Sequence, residues 1–92
     1  MAKVVCTVKI MPQSPKANLD KIEKEALRVI AGYAGNNETK TTREPIAFGL
    51  TALNIIFILD ESKGSTEPIE KSLAGLADVN SAEIVDVRRA IG

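Results

Sequence analysis

Chemistry in this sequence could come from three places: a lone thiol at Cys6, an aromatic ring at Phe48 framed by Pro45 and Gly49, and an arginine pair, Arg88-Arg89. A thiol becomes a nucleophile only when a base or a positive charge lowers its pKa. The sequence contains no histidine, so Ser–His and Cys–His pairs are excluded, together with the commonest general base and metal ligand. One cysteine allows no intrachain disulfide, no Cys-x-x-Cys redox motif and no thiolate–zinc cluster. Cys6 stands in an alternating apolar run and reads as a small core residue. No catalytic residue, metal site or cofactor is expected, and the chain is not expected to be an enzyme. Recognition remains. In Glu44-Pro45-Ile46-Ala47-Phe48-Gly49-Leu50, Pro45 breaks a strand ladder and Gly49 permits a tight or positive-φ backbone, which puts Phe48 at the tip of a turn. Two outcomes are open there. The ring folds inward and plugs the end of the core, or it stands outward as the kind of aromatic anchor that dominates interfaces. Arg88 and Arg89, adjacent on a strand, point to opposite faces; they are either a solvated pair or a cation offered to a partner.

These side chains need a scaffold, and the spacing of apolar residues predicts one. Val4, Cys6, Val8 and Ile10 alternate with Val5, Thr7, Lys9 and Met11, the pattern of a strand with one wholly apolar face, stopped by Pro12 and Pro15. Asn18 is placed to cap a helix in which Leu19, Ile22, Ala26, Val29, Ile30 and Tyr33 recur at three- and four-residue steps, with Gly32 and Gly35-Asn36 as stop signals. The polar, Thr-rich stretch from Glu38 to Glu44 predicts an exposed edge strand, blunted by Lys40 and Arg43 and ended by Pro45. Leu50 to Leu59 is apolar on both faces and predicts a central strand, followed by a turn at Asp60-Glu61-Ser62-Lys63-Gly64. Thr66 can cap a second helix with Glu67 and Pro68 in its first turn and Ile69, Leu73 and Leu76 as its buried stripe. Asp78 to Ser81 connects it to a last strand over Ala82 to Arg88, where Val85 and Val87 share a face and Ile84 lies opposite. The order β-α-β-β-α-β predicts the ferredoxin-like α+β fold: a four-stranded antiparallel sheet with two helices on one face and the first and third strands central. A single domain over residues 1–92 is expected at this length.

Composition narrows the partners. The 92 residues are 45% hydrophobic and 26% charged, the balance of a folded globule. Twelve Lys and Arg offset twelve Asp and Glu for a net charge of +0, which argues against nucleic acid, since phosphate binding rests on clustered cations. Residues 1–45 carry net +3 and residues 46–92 net −3, a mild polarity. No apolar run reaches the roughly 20 residues of a membrane span, and Met1-Ala2-Lys3-Val4-Val5 begins no signal-peptide apolar region. A single unpaired cysteine fits a reducing compartment. A cytoplasmic location away from membranes is expected, with the chain a monomer when free.

Pro45-Ile46-Ala47-Phe48-Gly49-Leu50, followed by an apolar strand ending in Asp60-Glu61, resembles the guanine-nucleotide exchange domain of the elongation factor 1-beta family. Val8-Lys9-Ile10-Met11-Pro12 ahead of Leu19-Asp20-Lys21-Ile22-Glu23, and Asp86-Val87-Arg88-Arg89 near the end, are similar to its archaeal members, and the likeness covers essentially the whole chain. The resemblance implies a ferredoxin-like exchange factor that promotes GDP release from the GTPase elongation factor 1-alpha during translation. It also implies that Phe48, with Ile46 and Gly49 around it, contacts the GTPase. Arg89 falls where eukaryotic relatives carry a penultimate Lys directed at the Mg²⁺ and phosphate site. Arg is planar and bulkier than Lys, and Ala90-Ile91-Gly92 extends beyond it, so Arg88 and Arg89 are both carried as partner-binding candidates.

Other modules share this strand order. An RNA-binding domain would stack bases on aromatics of its first and third strands, yet the outward positions Val5, Thr7, Lys9, Met11, Asn54, Ile56 and Ile58 hold none. An acylphosphatase-type enzyme would need a glycine-rich anion loop bearing Arg, and Met11 to Asn18 contains neither Gly nor Arg. A ligand-sensing regulatory domain would announce itself by a metabolite retained through purification.

Overall fold

The computed structural model describes residues 3–35, 38–63 and 65–89; Met1-Ala2, the expected helix stop at Asn36, the turn residue Gly64 and the extension Ala90-Ile91-Gly92 lie outside them. The elements run β1 (Lys3–Pro12), α1 (Leu19–Ala34), β2 (Lys40–Pro45), β3 (Thr51–Asp60), α2 (Glu67–Ala74) and β4 (Val79–Arg89). The strands form one antiparallel sheet in the order β2-β3-β1-β4, the ferredoxin-like α+β arrangement. The two most apolar strands are central, because only there does each find strand neighbours on both sides.

Period-2 alternation decides which face meets the helices. Val4, Cys6, Val8 and Ile10 of β1 pair with Leu59, Phe57, Ile55 and Leu53 of β3. Ile22, Ala26 and Ile30 of α1 and Ile69 and Leu73 of α2 complete the core with them. Cys6 is buried, and burial, with the charge of Asp86 as a smaller cause, pushes its thiol pKa up, away from the reactive thiolate. On the opposite face Val5, Thr7, Lys9, Met11, Asn54, Ile56 and Ile58 are partly exposed, so the open sheet offers no stacking platform.

Local signals act largely as expected for α1. The Asn18 side chain accepts the Lys21 backbone N–H at 3.1 Å, a cap that contributes about 1 kcal/mol. Gly32 does not stop the helix, which runs through it to Ala34; Gly35 ends it at φ 81, donating its N–H to the Ala31 carbonyl at 2.9 Å. Tyr33 departs from the buried stripe. It is 40% exposed, and its hydroxyl lies 3.2 Å from Ser72 Oγ of α2, so its polar end ties the helices together at the surface.

Other expectations also need correction. Thr66 precedes α2 but makes no side-chain cap bond; Ser65 Oγ accepts the Glu67 N–H instead, at 3.0 Å. β2 starts at Lys40 rather than Glu38, and Pro45 is its last paired residue, opposite Thr51; an edge position leaves a missing N–H harmless. β4 starts at Val79, not Ala82, and a bulge at Val85 changes its facing: Ile84 pairs with Val8 and Val87 with Cys6, both toward the helices. The expected split of Val85 and Val87 from Ile84 is therefore wrong. One extra residue in a strand reverses the alternation after it. Glu70 of α2 accepts the Ile84 N–H at 2.8 Å beside this bulge.

Candidate functional site

The β2–β3 connection is one turn, Ala47–Gly49, whose middle residue is left-handed: Phe48 has φ 65 and ψ 28. The neck of the turn is closed by Ile46 N–H to the Leu50 carbonyl at 2.7 Å and by Leu50 N–H to the Ala47 carbonyl at 3.4 Å. Gly49 follows at φ 76, so two consecutive residues are left-handed. That costs glycine little, but a phenylalanine pays of order 1 kcal/mol. This backbone throws the ring outward. Phe48 is 94% exposed, while Ile46 and Leu50 at the base are half-buried. The inward plug is thereby excluded, and Phe57, deep in β3, is the aromatic of the core.

Support for the turn comes from a loop distant in sequence. A Cβ at Gly49 would meet the Pro15 ring at 3.8 Å, so the β1–α1 loop lies beneath the turn. The same loop is bound to the start of β4, with Gln13 N–H donating to the Asp78 carbonyl at 2.8 Å and Gln13 Nε2 to Val79 at 3.4 Å. Pro15 was not legible as a site neighbour, because nothing local in either segment signals their contact.

Arg88 and Arg89 are elsewhere. Arg88 pairs with Val5 and Arg89 with Val4, and Val4 in turn pairs with Leu59. Phe48 precedes the other end of β3, at Thr51. Eight residues of strand, roughly 27 Å at about 3.4 Å each, separate the two ends in a molecule measuring 42 × 20 × 19 Å. The candidate residues thus form two sites: Ile46, Phe48 and Gly49 at one end of the sheet, Arg88 and Arg89 at the other.

The two arginines differ as their alternation predicts. Arg88 lies on the open face with Nε 2.9 Å from Asp86 Oδ2. Arg89 lies on the helix side with Nη2 2.8 Å from Glu61 Oε1, in the short turn Glu61–Lys63 after β3. Both side chains are largely exposed. Glu61 was not a sequence candidate; its contact arises only because β3 and β4 flank β1 and finish at the same end of the sheet.

Among the described residues no group of His, Cys, Asp and Glu could hold a metal ion, no buried side-chain polar atom lacks a partner, and no helix is long and apolar enough to cross a membrane. Two hollows among the described residues are open to solvent, one against Asp20, Glu23, Lys24 and Leu27, another against Ser65, Glu67, Pro68 and Lys71.

Comparison with known proteins finds relatives. The chain is 46% identical over 89 residues to elongation factor 1-beta of Methanobrevibacter smithii, covering 97% of this chain and 98% of that protein. It is 43% identical over 89 residues to the protein of the same name from Methanothermobacter thermautotrophicus, with the same coverage. It is 39% identical over 90 residues to that of Methanocaldococcus jannaschii, covering 98% of this chain and all of the relative. Residues 5–90 match the EF-1 guanine nucleotide exchange domain, and with that match and these relatives the chain belongs to that family.

Proposed function

We propose that this chain, a single exchange domain over residues 1–92, promotes GDP release from elongation factor 1-alpha by gripping the GTPase with both ends of its sheet. Phe48 carries the reading: a ring 94% exposed on a left-handed backbone is costly to hold unless a partner takes it. Ile46 and Gly49 shape the turn that presents it, and Arg89 offers a cation at the far end. No bond is made or broken by the exchange factor itself. It binds the nucleotide-free GTPase more tightly than the GDP-bound one, and linkage requires GDP to weaken the complex by the same factor. Such a factor works as a free monomer in the cytoplasm, with no cofactor and no direct contact to nucleic acid or membrane.

Catalytic amounts of the chain are expected to accelerate release of labelled GDP from elongation factor 1-alpha without hydrolysing GTP. A release rate indifferent to the amount of chain added rejects the reading. In the same assay at saturating exchange factor, Arg89→Ala should slow release more than Arg88→Ala, with both variants folded. Arg88 lies on the open face beside Asp86 of its own strand, whereas Arg89, the last residue of β4, lies on the helix side beside Glu61. Arg89→Lys keeps the positive charge and should retain much of the activity, although it loses the planar fork. Equal rates for the unmodified chain and both alanine variants would assign the pair to solvation.

A further inference from the structure

We infer that Glu61 is a positioning residue for Arg89, holding one edge of its guanidinium so that the other edge faces an anion on the partner. The inference rests on the two-ended grip proposed above and adds the device that aims one end of it. Arg89 ends the described part of β4, an edge strand with β1 on one side only. Its side chain is 74% exposed, and a long exposed arginine has many rotamers to lose on binding. Among the described residues one ion pair restrains it, that of Nη2 with Glu61 Oε1 at 2.8 Å. Glu61 is itself held. It opens the short turn Glu61–Lys63 directly after β3, and Asp60 Oδ1 closes that turn by accepting the Ser62 N–H at 2.9 Å. Hydrogen bonds from the Ser62 backbone and side chain hold the Asp60 carboxyl below the usual carboxylate range, so the acceptor stays charged. The end of β3 places Glu61, and Glu61 biases the direction of Arg89.

The geometry favours aiming over sequestering. A guanidinium carries five N–H donors in a planar fork and accepts nothing. With Nη2 engaged by Glu61, donors remain for a phosphate or carboxylate, the anions that match this fork. An ion pair between a largely exposed arginine and a partly exposed carboxylate is also too weak and too easily screened to lock the arginine away. Arg88 is the internal contrast: strand alternation puts it on the other face of the sheet, where it pairs with Asp86 and not with Glu61.

The test uses the full chain and GDP release from elongation factor 1-alpha at saturating exchange factor, with Glu61→Ala, Glu61→Gln, Arg89→Ala and the double variant Glu61→Ala/Arg89→Ala. Glu61→Ala is expected to lower the saturated rate roughly three-fold, the scale of an exposed ion pair, with its thermal melt unchanged. Glu61→Gln keeps an oxygen able to accept the same bond and should restore most of the rate. In the Arg89→Ala background, Glu61→Ala should have no further effect, since a residue that acts only through another is silent once that other is gone. A Glu61→Ala effect that persists undiminished without Arg89 overturns the inference. So does a Glu61→Ala rate equal to or above that of the unmodified chain, a Glu61→Gln rate as low as that of Glu61→Ala, or full activity of Arg89→Ala. Failure of the unmodified chain to stimulate release at all strikes instead at the exchange reading beneath it.

Discussion

Replacing Phe48 with alanine is expected to weaken exchange by about 2 kcal/mol or more, roughly 30-fold, the scale of an interfacial hot spot. Folding stability should stay within about 0.5 kcal/mol, as for a surface substitution away from the core. Almost the whole ring is in solvent, so truncating it opens no cavity. The backbone hydrogen bonds that close the turn, Ile46 to Leu50 and Leu50 to Ala47, do not involve the side chain. Denaturant unfolding and GDP-release kinetics on the same preparation check both halves of the expectation. Lost stability with normal exchange at low temperature would show that the ring serves the core; unchanged stability with unchanged exchange would remove Phe48 from the interface.

Phe57→Ala should behave in the opposite sense. Phe57 is 1% exposed, lies opposite Cys6 of β1 and belongs to the core shared by the sheet and both helices. Removing it deletes a large buried side chain and leaves a cavity that close-packed neighbours fill only in part, at about 3–5 kcal/mol. For a domain whose total stability is of order 5–15 kcal/mol, that is a large share, and the midpoint of urea unfolding should fall accordingly. Exchange per folded molecule should survive at low temperature, because the buried ring offers no surface to a partner. A loss below about 1 kcal/mol would mean that the core repacks around the gap. The chain has two phenylalanines, and these variants separate one that builds the fold from one that the fold presents.

Much of the scaffold was legible because its signals are local and periodic. The alternation of Val4, Cys6, Val8 and Ile10, the two apolar faces of β3 and the cap at Asn18 each state a structure within a few residues, and the sheet adopts them. The last strand was less legible. Ala82 to Arg88 alternates weakly, and a bulge cannot be located without the partner strand it slips against; the pairing of β4 with β1 puts the extra residue at Val85. Thr66 had the right side chain for a cap, but its backbone is already helical at φ −86 and ψ −5, so Ser65 takes the role.

The candidate site divides along the same line. The sequence by itself determined which residues were available: no histidine, one cysteine, an aromatic between Pro45 and Gly49, and two adjacent arginines that must face apart. Those follow from residue type and from the two-residue period of a strand. Only the tertiary structure decided the direction of Phe48, since inward and outward rings share the same sequence and differ in the left-handed backbone that the closed turn imposes. It also decided that Phe48 and Arg89 stand at opposite ends of β3, and that Glu61, 28 residues before Arg89 in the chain, lies beside it. Contacts of that kind depend on how strands are ordered in the sheet. That order is settled by burying every apolar face at once, a condition no single segment carries.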